Sequence, residues 1–322
     1  MSADQMAQAI VRNGIGVVVV TYHPAGDVES RLEKMAAQGD SMVVVDNGSA
    51  ESYGGLKEIC DRHAWDLIVN PANLGLGAAL NQGVRRIAGR GRRWVLLFDQ
   101  DSEPAPDMSE RLIETLQRHS TPERVAIVGP VFRDPITGRG HRVLRQHPHW
   151  PWFFQKVSNP VDDLPSVTMV ITSGSLLRVD DFDKIGPFDE ALFVDYVDTD
   201  FCLRCRAAGR LIAVSAGGRL DHQLGHREQR KFLGLACYPT NHPPLRHYYI
   251  ARNRVLMLRR HGLRFPHWMF FDLAASGLWL FRVLAFEPAK GTKLKAMTLG
   301  TWDGLRGTSG PCVARRIAAF SP

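Results

Sequence analysis

The chain has 322 residues with 40 Lys+Arg against 33 Asp+Glu, a formal charge of +7. Apolar residues make up 44% and charged residues 23%, ordinary values that exclude wholesale disorder and fibrous classes and leave room for a large core. The charge is unevenly placed. Residues 1–202 carry 20 basic and 28 acidic side chains and residues 203–322 carry 20 and 5, so only the last third has the basic character that nucleic acid or an anionic membrane attracts.

The opening MSADQMAQAIVRNG has no basic stretch followed by an apolar one, so no secretory signal is expected. Residues 15–21 are a continuous β-branched run, as for a strand buried on both faces. A polar helix is expected over 27–38, and a strand over 41–45 that closes on Asp46-Asn47-Gly48-Ser49. A helix around 56–63, a short strand over 66–69 and a loop over 70–73 come next, then a helix over 78–88 and a strand over 93–98. This alternation predicts an α/β fold with a mainly parallel sheet covered by helices. Ligands gather at strand carboxyl ends in such sheets, which singles out Thr21-Tyr22, Asp46-Asn47 and Asp99-Gln100-Asp101.

Beyond residue 121 the rhythm changes. A strand over 125–131 leads to an irregular Pro/His/Trp-rich stretch over 134–165, and 167–177 is strand-like. A turn over 185–190, a helix over 198–209 and a strand-like run over 211–214 follow, and the chain after His242 is basic and helix-biased. Residues 268–286 are long enough to span a bilayer, but Asp272 and Arg282 are costly at that depth. Asp272, Ser276 and Arg282 share one sector of the helical wheel, and an interfacial or core helix is expected. The five cysteines are odd in number and fit a reducing compartment. Cys202 and Cys205, without a second pair or a nearby histidine, read as helix core.

Four constellations carry chemistry. Asp99 and Asp101, two apart at the end of an apolar strand, offer hard oxygens for Mg²⁺ or Mn²⁺, and such a cation neutralises a diphosphate; the plain alternative is a solvated loop end. Asp195, Asp198 and Asp200 open a helix, where acids cap and complement the dipole, and where one of them is also placed to deprotonate a hydroxyl. His222, after a strand-like run, is a candidate metal ligand, although most histidines are surface or core. Gly75 and Gly77 precede a helix in NLGLGAALNQG and allow close backbone approach to phosphate, without the spacing of a dinucleotide fingerprint.

Taken in order, VVVVTYHP, VVVDNGS, NLGLGAALNQG, LLFDQDS, SGSLLR, GPFDEALFVDYVDTDFCLR and HQLG resemble family 2 glycosyltransferases with the GT-A fold, over about residues 14–228. DQDS, DYVDTD and RHYYIARN look like the bacterial rhamnosyltransferase branch. The resemblance implies a GT-A domain over 1–240 and a basic helical region over 241–322 that associates with membrane or acceptor. It places Thr21, Tyr22, Asp46, Asn47, Asn73, Gly77 and Asp99 around the nucleotide-sugar donor, and Asp101 and His222 on a divalent cation. Asp198 is the implied base, with Asp195 and Asp200 in reserve, because Val197 stands where the family's usual form has a glutamate. The implied activity is inverting transfer of a sugar, L-rhamnose from dTDP-rhamnose, to a cell-envelope glycan or lipid-linked acceptor at the inner face of the bacterial inner membrane. No nucleic-acid partner is expected. Two other classes compete: a phosphatase using DQDS, and a basic module binding nucleic acid or a membrane surface.

Overall fold

The computed structural model describes residues 14–318 and 320, apart from 25, 51–52, 135–139, 141, 223–229, 233–234, 238 and 240. The chain divides into two compact units. A sheet unit takes Met1–Arg145, Lys156–Glu190 and Asp198–His222, and a helical unit takes Gln146–Gln155, Ala191–Val197 and Gln223–Pro322. The division is interleaved along the chain.

The sheet unit holds β1 (Ile15–Thr21), α1 (Val28–Ala36), β2 (Ser41–Asp46), α2 (Tyr53–His63), β3 (Asp66–Val69), α3 (Leu76–Ala88) and β4 (Trp94–Asp99). Every residue of β1 is buried, as its unbroken apolar run requires, and Val18 lies between Val43 and Leu97 in the parallel ladders. Then come β5 (Ser102–Pro104), α4 (Met108–Arg118), β6 (Val125–Arg133), β9 (Ser175–Arg178), α5 (Val179–Ile185), α6 (Val197–Ala207) and β10 (Leu211–His222), with short strands β7 (Arg142–Gln146) and β8 (Phe154–Ser158) in the stretch expected to be irregular. The eight-stranded sheet has the order β3-β2-β1-β4-β9-β6-β10-β5. β9 runs antiparallel to both β4 and β6, and β5 antiparallel to β10. The remaining pairs are parallel, so the sheet is mixed and mainly parallel.

Three expectations are corrected. Of the strand-like run 167–177, only the end becomes β9, because Gly174 turns the chain at φ +78°. The run 211–214 instead extends to His222, passing a register shift between Ser215 and Arg219 where two glycines lie. The helix α4 was not expected; its buried Met108, Leu112, Thr115 and Leu116 follow helical spacing.

The helical unit contains β11 (Arg230–Phe232) paired with β12 (Leu235–Cys237), then α7 (Pro244–His261), α8 (Pro266–Phe286), α9 (Lys290–Leu305) and α10 (Ala314–Ala318). α9 lies close on α7 because Gly300 and Gly304 face it. A Cβ at these positions would stand 2.2 Å from the Tyr248 carbonyl oxygen and 2.6 Å from that of Arg252.

Candidate active site

Thr21 and Asp46 end neighbouring parallel strands as register partners. Both are buried, and a buried polar group must find partners. Thr21 Oγ1 donates to Asp46 Oδ1 (3.2 Å), and the Ser49 N–H donates to Asp46 Oδ2 (3.0 Å). Asn47 is the hub of the next loop. Its Nδ2 donates to Asn73 Oδ1 (3.1 Å) and the Gly75 carbonyl (3.2 Å), while its Oδ1 accepts from Asn70 Nδ2 (3.1 Å) and the Leu74 N–H (3.1 Å). With these four bonds Asn47 uses its full capacity, so Asn47 and Asn73 shape the 70–75 loop beside the strand ends. Gly48 is obligatory here: its φ is +92°, and a Cβ would lie 2.5 Å from the Ala72 carbonyl carbon. Gly77, buried in the first turn of α3, packs on the 189–190 backbone, with a Cβ position 3.0 Å from the Asp189 oxygen.

Tyr22 is half exposed. Its backbone is tied to the DQDS turn by a reciprocal pair: Tyr22 N–H to Gln100 Oε1 (2.8 Å) and Gln100 Nε2 to the Tyr22 carbonyl (3.0 Å). In that turn Asp99 is half-buried and Asp101 exposed. Beneath them the buried Ser102 and Ser173 hydroxyls share a hydrogen bond of 2.6 Å, and Ser173 Oγ accepts the Asp99 N–H (3.1 Å). Gly174 permits this approach, since a Cβ would stand 2.8 Å from Pro130 Cγ and 2.9 Å from Leu220 Cδ2. Sequence reasoning did not assign Ser173 a role, although SGSLLR contains it.

The DQDS acids fit a hard divalent cation: two carboxylates at a strand end, with phosphate and water oxygens completing an octahedron, is the usual Mg²⁺ donor set. His222 ends β10 with its backbone opposite Ser102. The His222 side chain and the residues after it in HQLG lie outside the described residues. Among the described residues, one group of three candidate ligand atoms clusters within 4.8 Å: Glu29, Glu33 and His63. There Glu29 already pairs with Arg62 and His63, and the histidine hydrogen bond holds its carboxyl below the ordinary range. That cluster is an ion-pair tie between α1 and α2.

The three acids of DYVDTD have different environments. Asp200 is 2% exposed and receives Arg204 Nε at 2.7 Å, while the rest of that guanidinium caps the carbonyls of Ile185, Gly186 and Pro187. Asp195 is paired with Arg246 at 3.0 Å. Asp198, in the first turn of α6, accepts the Thr199 N–H (2.6 Å) and hydroxyl (3.2 Å). It lines a small depression with Leu97 of β4, Thr172, Phe188 and Cys202. Asp195 and Asp200 are each held in an ion pair, and Asp198 is the acid that lines this depression. Cys202 and Cys205 are buried on α6, and burial pushes both thiols up, that of Cys205 to about 12.

Within the helical unit, the segment preceding Asp198 is strained. Phe193, Asp195 and Tyr196 all have positive φ (66°, 59° and 65°), each costing about 1–3 kcal/mol unless the surroundings enforce it. Two fully buried α7 residues do so. Asn253 Nδ2 donates to the carbonyls of Leu192 (2.9 Å), Val194 (2.7 Å) and Asp195 (3.1 Å), and Arg252 Nη2 donates to that of Leu192 (3.1 Å). Both lie in RHYYIARN, to which the sequence assigned no site role.

The family profile described as "Glycosyl transferase family 2" matches residues 16–186. The chain belongs to glycosyl transferase family 2. The family 2 enzyme is 29% identical over 311 residues to the dTDP-rhamnosyl transferase RfbF of Shigella flexneri, covering 93% of this chain and 98% of that one. It is also 27% identical over 246 residues to the N-acetylglucosaminyl-diphospho-decaprenol L-rhamnosyltransferase of Mycobacterium tuberculosis, covering 66% and 77%. Among solved structures, Staphylococcus aureus TarS 1–349 in complex with UDP-GlcNAc aligns with a TM-score of 0.54 at 16% identity, over 95% of this chain and 83% of that one. GalNAc-T7 with UDP, GalNAc and Mn²⁺ aligns at 0.52 and 13% identity, over 76% of this chain and 47% of that one. The fold is of the GT-A type that the sequence motifs implied. A glycosyltransferase leaves the phosphatase and nucleic-acid readings without support.

Proposed function

We propose that this glycosyltransferase moves L-rhamnose, with inversion, from dTDP-rhamnose to a hydroxyl of a lipid-linked cell-envelope glycan, at the inner face of the bacterial inner membrane. The observation that supports the reading is the Thr21–Asp46 pair and Asp99 at the carboxyl ends of neighbouring parallel strands. The choice of sugar and acceptor follows the activities for which the two relatives are named, the first of which aligns over nearly the whole length of both chains.

In this reading, Thr21, Tyr22, Asp46 and the loop braced by Asn47 and Asn73 border the nucleotide, and Asp99 serves the donor sugar. Asp101, with His222, would hold Mg²⁺ or Mn²⁺, which when bound neutralises charge on the leaving diphosphate. Asp198 takes the proton of the acceptor hydroxyl as its oxygen attacks the anomeric carbon from the side opposite the diphosphate. One base and one displacement suffice, so the anomeric centre inverts and no covalent sugar–enzyme bond forms.

A panel of nucleotide sugars tested by thermal shift, with and without Mg²⁺ or Mn²⁺, tests it. A true donor at 100 times its Kd stabilises by about 2.7 kcal/mol. The expected result is the largest shift with dTDP-rhamnose plus cation, lost in Asp101→Ala. Equal shifts from all donors would refute the rhamnosyl assignment, and cation-independent binding would refute the role of Asp101.

A further inference from the structure

α8 is built inside out. Its one acid, Asp272, is buried: Oδ1 accepts the Tyr196 hydroxyl (2.7 Å) and Oδ2 pairs with Arg254 of α7 (3.1 Å). Trp268 and Val283 are buried on the same side, and Ser276 donates back to the Asp272 carbonyl. The opposite side exposes Phe270, Leu273, Leu278, Phe281 and Leu284, each 39–48% accessible. With Ala274, Gly277 and Ala285, also exposed, these recur at three- and four-residue intervals, one uncharged stripe along the helix. The sector sharing Asp272 and Ser276, expected from the wheel, is therefore the protein-facing one. A core helix of this composition would be mostly covered; only 11% of its most apolar window is. Asp272 and Arg282 within α8 make a full span costly, which favours a helix lying in the interface.

A second element of the same unit carries the apolar surface further. Trp150, Trp152 and Phe153 are 63%, 62% and 57% exposed. They sit on a tight turn in which the Phe153 N–H donates to the Trp150 carbonyl (2.9 Å) and the His147 N–H to that of Phe153 (2.9 Å). Phe153 stacks on Phe270 and Phe154 meets Phe271 edge-on, so the turn is attached to α8. Exposed apolar surface of this extent on a soluble chain marks an interaction site.

The charge around it selects the partner. Pro244–Leu305 contains ten basic and three acidic residues. All three acids are buried and paired: Asp272 with Arg254, Glu287 with Lys293 and Asp303 with Arg316. Arg260, Arg264, Lys290 and Lys295 are exposed, whereas Lys293 is not available to a surface. The described outer face of these helices is thus basic, with an apolar stripe and two tryptophans. A second copy would set this basic face against itself. An anionic bilayer takes the stripe and aromatics into its interface and the lysines and arginines against its headgroups.

We infer that α8 and the Trp150–Phe153 turn together form a monotopic docking face for anionic lipid. This specifies the surface by which the membrane-proximal enzyme proposed above would meet its lipid-linked acceptor, and rests on that reading for its purpose only. The test is flotation of the full chain with vesicles of phosphatidylcholine alone or containing half phosphatidylglycerol. The wild type is expected to float with the anionic vesicles. Trp150→Ala/Trp152→Ala/Phe153→Ala and, separately, Leu278→Gln/Phe281→Gln should each lower the partition coefficient at least tenfold, and Lys290→Gln/Lys295→Gln should weaken only anionic binding. Brominated lipid should quench wild-type fluorescence more than that of Trp150→Phe/Trp152→Phe. The donor-induced thermal shift, read on every variant, should not move; its absence in the wild type would count against the donor reading and not against the docking face. Three outcomes overturn the inference: a wild type that ignores both vesicles, binding unaffected by both apolar variants, or a dimer in light scattering that those variants split while vesicles are ignored.

Discussion

The two units solve the burial problem in different proportions. In the sheet unit β-branched and aromatic side chains fill the interior, and polar residues collect at strand ends. In the helical unit His247, Arg252, Asn253, Asp272, Glu287, Lys293 and Asp303 are buried beside an apolar cluster of Tyr248, Tyr249, Ala296, Cys312 and Phe320, while Trp150, Trp152 and the stripe along α8 face outward. With 16 basic and 5 acidic residues, the helical unit keeps Asp272, Glu287 and Asp303 buried, each in an ion pair. Buried pairs of this kind stabilise little against apolar substitutes but cost much when broken. The contrast teaches that net charge reports composition, whereas burial decides which charges are surface.

The largest expected effect tests the chemistry of the sheet unit. Asp198→Asn should lower the rate of transfer by about 10²–10⁴-fold while leaving donor affinity in calorimetry unchanged. Near-normal turnover would move the base elsewhere. Next, Lys293→Met probes whether the helical unit depends on its buried charges. Lys293 Nζ lies 2.7 Å from Glu287, and stranding that carboxylate should cost about 3–5 kcal/mol in urea unfolding. Most of the loss should return in Lys293→Met/Glu287→Leu. If the single variant is neutral, the contrast between the units dissolves.

Asn253→Ala probes the strained segment before Asp198. It orphans three carbonyls, and transfer should slow about tenfold with the donor KM held, because small displacements at a base are expensive. A change in stability alone, with kcat intact, would make the clamp purely structural. The smallest effect is a pH dependence. Burial pushes the His247 imidazole down, so below the ordinary histidine range the unfolded chain takes up a proton that the folded one refuses. Burial pushes Glu287 up, but Lys293 bonded to it brings it below the ordinary carboxylate value on balance; its contribution is present above that value and is lost as pH falls through the folded pKa. Both signs agree. Tryptophan fluorescence during melts at pH 7 and pH 4 should show the helical unit losing more stability in acid than Lys293→Met/Glu287→Leu does.

Much of the sheet unit was legible, because β-branched runs such as 15–21 have one economical fate and the acids after 98 follow directly from a strand end. Ser173 was not legible, since its partner Ser102 is 71 residues away and only the antiparallel placement of β9 brings them together. Arg252 and Asn253 were hidden for another reason. An arginine in a basic helix reads as solvated, and nothing local says that its guanidinium lies 4.9 Å from the Tyr249 ring centre under a strained loop. The α8 wheel grouped its polar residues well but gave no sign of which side meets protein. Orientation is a tertiary property, and Tyr196, which helps to set it, lies 76 residues upstream of Asp272.

One consequence of the antiparallel β9 concerns how such an enzyme can change. Because β9 opposes β4 and β6, the chain leaves the sheet at the end of β6 and re-enters it at the start of β9 on the same rim. The intervening residues 134–174 make one long excursion from the sheet, pinned before its end where Leu164 and Val214 exchange backbone hydrogen bonds (2.8 and 2.9 Å) and the Val167 N–H donates to the Ile212 carbonyl (2.9 Å). A change of length before Leu164 therefore leaves these bonds to β10 in place, whereas one between Leu164 and Ser173 would pull on them and on the seat of the Asp99 N–H.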